Sequence, residues 1–425
     1  MVNSPVAGSA ARRAAVEASR AEVVTAYLAG ESFHSLCIRW GVSNTWLTKQ
    51  FDAWGIIRRT QAEAFALARN GGPAGAAAMA GRTRDATELE ERVRRAVAVA
   101  WPGGQVRVSS PLGSLGAHVR RVMVSGDGEW YAKVARGTDD AGVRREAACL
   151  RWLSPLEPRV PSACLVDDVL FTRAVTGPSL ASRLTAEPER TVELLAVTLA
   201  EAGLLARMCG HLPLPLDITR IQTGTGLHTD FLTRFATRPS DTATGPSCGL
   251  LDQLHRAVEP LIGGYRPPAR RELSHGSLCV EHVRWPAPNT PTLLSPRLRM
   301  APIDDDLAQL LSRTLLTAAV MDPIDMRRSR ILHGVDAVIN DRERQVRGQG
   351  ATRRWAGHLL VRCLMDMACH TAACFSAPRP YSPHVRRIID HALPLIAFFA
   401  RSTRMARDDG RAWTRMLEHV GAVYL

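Results

Sequence analysis

Only two of this chain's 54 basic residues are lysines, Lys49 and Lys133, so arginine is its default cation. Lys133 lies in WYAKV, which alternates like a strand. A strand lysine usually faces solvent, but a compact ammonium fixed on a strand also suits phosphate oxygens. Glu146 follows in RREAACLRWL, where Ala147, Leu150 and Leu153 turn one helix face to a core. A carboxylate so placed can pair with the strand lysine and orient it. Gly113 and Gly116 sit in a GSLG turn between two strands. Backbone N–H groups in such a turn can approach phosphates, although a plain hairpin turn explains two glycines equally well. Further along, HGSLCVEHV collects His275, Ser277, Glu281 and His282, and Asp304, Asp305 and Asp306 follow. At neutral pH the Ser277 hydroxyl cannot accept a proton as a carboxylate does. The neutral imidazole of His282 can hold a metal. An acidic helix N-terminus is the plain alternative for the Asp triplet.

The elements that must position these residues follow from periodicity. VRVSS, HVRRVMV and WYAKVA read as strands, with Asp127-Gly128 turning between the last two. Helical patterns dominate from about residue 187 onward. The stretch from Gln222 to Gly249 reads as a surface insertion. The cluster Cys363, Cys369, His370 and Cys374 reads as a buried helix rather than a metal site, because small apolar residues separate its members.

Taken in order, these residues resemble the aminoglycoside phosphotransferase and choline kinase-like family, over roughly residues 105–400. There the catalytic loop reads HGDLxxxN and a second Asp follows as IDW. The resemblance implies that His275 orients the loop and that Ser277 replaces the catalytic base. It also implies that His282 replaces the Asn, and that Asp304, after Ala301-Pro302-Ile303, is the metal-binding Asp, with the adjoining Asp305 and Asp306 leaving the register open by a residue or two. Gly113, Gly116, Lys133 and Glu146 would then hold ATP, with Mg2+ at His282 and Asp304. The stretch from Phe171 to Leu180 would be the hinge strand and its Gly-Pro exit. The gap from Ser277 to Asp304 is long for the family and implies an enlarged hairpin through Pro286–Pro296.

An independent module precedes this region. Residues 12–29 and 32–40 read as helices, Gly41-Val42 as a turn, and Ser43 as the N-cap of a helix to Trp54. Leu47, Phe51 and Trp54 share one face, leaving Asn44, Thr45, Thr48 and Lys49 outward. The spacing resembles homeodomain-like and resolvase-type helix–turn–helix modules. That implies a double-stranded DNA partner, with Arg58 and Arg59 flanking for phosphates. A helical bundle packed on the second region is the alternative.

The expected class is therefore α+β: a bilobal protein kinase-like fold with a β-rich N-lobe and a helical C-lobe, preceded by a small all-α helix–turn–helix domain. The boundaries are 12–66 for that domain, 67–86 for a linker, 87–184 for the N-lobe and 185–425 for the C-lobe. With 425 residues, a formal charge of +13 and no apolar run of membrane length, a cytoplasmic protein without a membrane partner is expected. Nine scattered cysteines argue against a disulfide framework. The reading that follows is a catalytically degenerate kinase fold, a pseudokinase. It binds a nucleotide or small-molecule ligand and is coupled to DNA, as a homodimer if one module's area is too small for affinity. The alternatives are an active ATP-dependent small-molecule phosphotransferase of antibiotic-modifying type, and a protein-interaction scaffold. The basic charge does not favour a polycationic aminoglycoside.

Overall fold

The computed structural model describes residues 9–28, 31–54, 88–112, 117–135, 141–210, 227–235, 246–263, 265, 267–322, 324–346, 348–377, 382–406 and 412–422. The chain divides into two compact units, Met1–Glu90 with Ser240–Cys248, and Glu91–Pro239 with Gly249–Leu425.

The first unit contains the helices Ser9–Ala18, Arg20–Leu28, Phe33–Trp40 and Asn44–Ala53. The segment expected as one helix over 12–29 is thus two, meeting at Ser19. Ser32 and Ser43 cap the last two helices, accepting from the N–H of Ser35 at 2.9 Å and of Trp46 at 3.3 Å. Between them Gly41 adopts φ 62°, a left-handed helix end that glycine takes without a Cβ clash. Val16, Val23, Tyr27, Leu36, Leu47 and Phe51 form the core. Tyr27 and Phe33 meet Phe51 edge-on at 4.9 and 5.2 Å. Trp54, expected fully on this face, is half-buried at the helix end.

In the second unit, five strands form one antiparallel sheet: β1 (Val106–Leu112), β2 (Ala117–Val124), β3 (Gly128–Ala135), β4 (Ala163–Val166) and β5 (Val169–Arg173). Their order is β1-β2-β3-β5-β4. The helix Ala141–Leu153 connects β3 to β4. Asp127, in the β2–β3 turn, accepts from the indole N–H of Trp101 at 2.9 Å and of Trp130 at 3.1 Å. Trp101 also meets Phe171 of β5 edge-on at 5.1 Å, so the end of the helix 88–100 is fixed to the sheet.

Helices dominate beyond Leu180, the longest being Gln349–Phe375. Two short ladders interrupt them. β6 (Arg271–Ser274) pairs with β9 (Arg299–Pro302), and β7 (Val283–Ala287) forms a hairpin with β8 (Thr290–Leu293). A continuous apolar core runs from Leu150 and Leu170 through Leu180, Leu278 and Leu311 to Phe399. Part of the stretch from Gln222 to Gly249 departs from the expected surface insertion. Leu227, Phe231 and Phe235, spaced four apart, bury one face of the helix Leu227–Phe235. Among the described residues no helix is long and apolar enough to cross a membrane.

The sheet joins the helical part just after β5. Gly177 adopts φ 93°, and a Cβ built there would lie 2.1 Å from the Trp285 carbonyl oxygen. The Trp285 N–H donates to the Pro178 carbonyl at 3.0 Å, sealing the same contact. Gly177→Ala is expected to cost at least about 1–3 kcal/mol, because it adds both left-handed strain and a backbone clash. Urea unfolding of the variant would check this, and an unchanged midpoint would contradict the close approach.

Candidate functional site

Lys133 projects from β3, where its neighbours Ala132 and Val134 are buried and fix the strand's register. Its ammonium donates to both carboxylate oxygens of Glu146 at 2.7 Å. Glu146 comes from the helix Ala141–Leu153 and is 2% exposed. Burial alone would push its carboxyl upward; Lys133, the nearby Arg297 and a Ser295 hydrogen bond together hold it below the ordinary value. The Lys133 ammonium reaches a second partner, the Ser295 hydroxyl, at 3.2 Å. Ser295 follows β8 and adopts φ 51°, an uncommon conformation for a non-glycine residue.

β6 delivers the run His275–His282 to the same place. Asp306, in the first turn of the helix Asp305–Ala319, holds that run by its backbone. It accepts from the Ser274 hydroxyl at 2.7 Å and from the N–H groups of His275 at 2.8 Å and Gly276 at 3.2 Å. Gly276 adopts φ 73°, and a Cβ there would lie 2.2 Å from the Arg297 carbonyl oxygen. Two backbone bonds tie the segment after β8 to this loop: Leu294 N–H to the His282 carbonyl at 2.7 Å, and Arg297 N–H to the His275 carbonyl at 2.8 Å. Ser295 is thereby held between the loop and Lys133.

A five-stranded sheet whose third strand carries a lysine paired with a helix carboxylate, joined to a helical lobe holding a His-Gly loop and a hairpin, decides the architecture. The fold is protein kinase-like. Solved structures similar to the chain include an amicoumacin kinase in complex with AMP-PNP and Ca2+, at 12% identity and TM-score 0.47, covering 76% of this chain and 96% of that one. An aminoglycoside-3'-phosphotransferase of type VIII matches at 22% identity and TM-score 0.39, covering 66% and 98%. A choline/ethanolamine kinase family protein from Mesorhizobium loti matches at 14% identity and TM-score 0.41, covering 79% and 99%. No family model and no curated protein matches the chain.

Against this kinase-like frame the expected site residues divide. Lys133, Glu146, Ser277 and His282 lie around one locus. Gly113, Gly116, Arg58 and Arg59 lie outside the described residues. Asp304 is not brought to the locus, which corrects the expectation that it is the metal carboxylate. Its two carboxylate oxygens accept from Arg342 at 2.8 Å and from the Trp355 indole at 2.8 Å. The reason is topological. The hairpin β7–β8 closes within residues 283–293, so the residue that emerges facing Lys133 is Ser295, and β9 intervenes before Asp304. The enlarged hairpin expected through Pro286–Pro296 is instead this short hairpin plus a returning strand. Ser295, Arg297 and the loop-holding role of Asp306 were missed by the sequence reading. The long interval between Ser277 and Asp304 was the available signal for the first of them.

His275 does not orient the loop through its ring. It is buried, and neither ring nitrogen has a hydrogen-bond partner among the described residues. Asp306 does that work instead. The Ser277 hydroxyl lies 3.0 Å from His282 Nδ1, which is also 3.0 Å from the Ser277 carbonyl. A carbonyl only accepts, so Nδ1 carries the hydrogen and shares it between both oxygens. The hydroxyl is thus a hydrogen-bond acceptor here, and His282 does not activate it as a nucleophile. Glu281 turns its carboxylate to His384, 3.6 Å away, and gives no substitute base at the locus.

Magnesium favours oxygen ligands that include one or two carboxylates. The locus offers two hydroxyls, an imidazole and a carboxylate already locked onto Lys133. Among the described residues, no three His, Cys, Asp or Glu side chains come together to hold a metal. The residues present therefore do not fit the divalent ion that the resemblance implied.

Burial lowers the His275 imidazole to about 3, from an ordinary value of 6.5, and the nearby His282 adds to the effect. The unfolded chain therefore takes up this proton first as pH falls. Its contribution to stability is full above 6.5 and declines between 6.5 and about 3. Burial of His370 acts in the same direction. Stability is expected to drop between about pH 7.5 and about pH 5, with a shallower slope in His275→Gln. Denaturant midpoints at the two pH values check this, and an equal slope in the variant would contradict it.

Proposed function

We propose that this chain is a kinase-fold protein that binds a nucleotide and has lost efficient phosphotransfer, and that it couples this binding to a helix–turn–helix module that reads double-stranded DNA in the cytoplasm. One observation carries the first part. The Lys133–Glu146 pair is intact, while the positions facing it from the loop and from the end of the hairpin are Ser277 and Ser295. A positioned general base contributes typically about 10²–10⁴-fold. Its absence cripples turnover but leaves the cation that holds phosphate.

ATP is expected to raise the melting temperature of the wild-type chain. Lys133→Ala is expected to abolish that shift, measured against the variant's own ligand-free melting curve. A retained shift would contradict the assignment of Lys133. Restoring both carboxylates, in Ser277→Asp with Ser295→Asp, is expected to raise phosphotransfer in magnesium. A wild-type chain already turning over at a kinase's rate would favour the alternative of an active antibiotic-type phosphotransferase.

For the DNA partner, the support is the exposed Asn44, Thr45 and Lys49 with the half-buried Thr48, all on the capped helix Asn44–Ala53. Short polar side chains and a cation on one face suit the major groove and its phosphates. The small footprint of one such module suggests that a homodimer binds. DNA binding should weaken with salt, and Lys49→Ala should reduce the slope of log affinity against log salt by about 1. An unchanged slope would remove Lys49 from the interface.

A further inference from the structure

We propose that the locus takes the polyphosphate of a nucleotide without a divalent metal, with the Arg297 guanidinium supplying positive charge beside Lys133. The inference rests on the nucleotide-binding reading above and specifies its chemistry.

Three features of the locus converge on it. The first is charge balance. Two site carboxylates and one divalent cation sum to zero. Two hydroxyls and no cation also sum to zero, so a phosphate chain meets the same net charge with Ser277 and Ser295 unmetallated as with the full acidic set metallated. The second is placement. Residues 295–297 pack directly on the loop, through Arg297 N–H to the His275 carbonyl at 2.8 Å and the close approach of Gly276 to the Arg297 carbonyl. The Ser295 hydroxyl at the start of this segment lies 3.2 Å from the Lys133 ammonium. Arg297 is therefore anchored at the mouth of the locus by its own backbone.

The third feature is availability. The Arg297 side chain is exposed, and no ion pair or side-chain hydrogen bond engages it among the described residues. It also contributes to holding the buried Glu146 ionised, which places its charge within reach of the Lys133–Glu146 pair. Lys133 and Glu146 neutralise each other, so Arg297 leaves the locus with a net positive charge. A guanidinium presents forked donors that match phosphate oxygens bidentately, so its charge comes with fixed geometry.

The test is isothermal titration of the full-length chain with ATP, in magnesium and in EDTA. The expected affinities agree within about twofold, while Arg297→Gln loses about tenfold or more in EDTA, as for a charge-assisted hydrogen bond. Arg297 is exposed, so its variant's melting curve should match wild type and exclude misfolding. Ser295→Asp is expected to weaken binding in EDTA and to recover it in magnesium, because a new carboxylate repels bare phosphate. A wild-type chain that loses about tenfold or more on chelation overturns the metal-free proposal while leaving nucleotide binding intact. Unchanged binding by Arg297→Gln overturns the role of Arg297. No binding in either buffer overturns this proposal and the reading it rests on together.

Discussion

The structure turns on a lysine ammonium held 2.7 Å from both oxygens of a carboxylate that is 2% exposed. Desolvating such a pair costs several kcal/mol, and only close geometry with further hydrogen bonds offsets it. A chain under no demand at this point could fill the space with apolar side chains at little or no loss. Instead β3 and the helix Ala141–Leu153 are registered against one another so that the pair meets, and Ser295 adds a third contact. The segment after β8 thus meets that cation through Ser295, and its backbone is bonded in turn to the loop around Ser277.

The support of the loop is as well determined as the pair. Asp306 accepts three donors from residues 274–276, and burial pushes its carboxyl above the ordinary value against those bonds. The backbone at the start of the run His275–His282 is therefore fixed by a side chain outside it. A loop braced in this way suits the binding role proposed for it. The structure also separates two roles that the sequence presents as one block. The acidic triplet 304–306 contains a residue paired to Arg342 and Trp355, one bonded to Arg299, and one that holds the loop.

Much of this was legible in the residues. The alternation of WYAKVA gave β3, and the apolar spacing of Ala147, Leu150 and Leu153 turned Glu146 toward it. Ser43 and Gly41 marked a cap and a turn that the first unit uses as expected. The residue that faces Lys133 from beyond the hairpin was not legible, for a physical reason. The sequence was searched there for an acid, and Leu294-Ser295 has none, whereas Ile303-Asp304 imitates the expected dipeptide. Only the pairing of β6 with β9 shows that a strand separates the two. The two helices in place of one over 12–29 were hidden because backbone bonding continues through Ser19, from Ser19 N–H to the Ala15 carbonyl at 3.0 Å and from Val23 N–H to the Ser19 carbonyl at 3.1 Å.

The central claim is that this kinase fold retains the group that holds phosphate and lacks the groups that move it. The most direct test is ATP turnover by the wild-type chain at saturating nucleotide and magnesium, across hydroxyl- and amine-bearing acceptors. Turnover indistinguishable from a Ser277→Ala, Ser295→Ala double variant is predicted. Wild-type turnover at about 1–100 per second, as kinases typically show, would contradict the account.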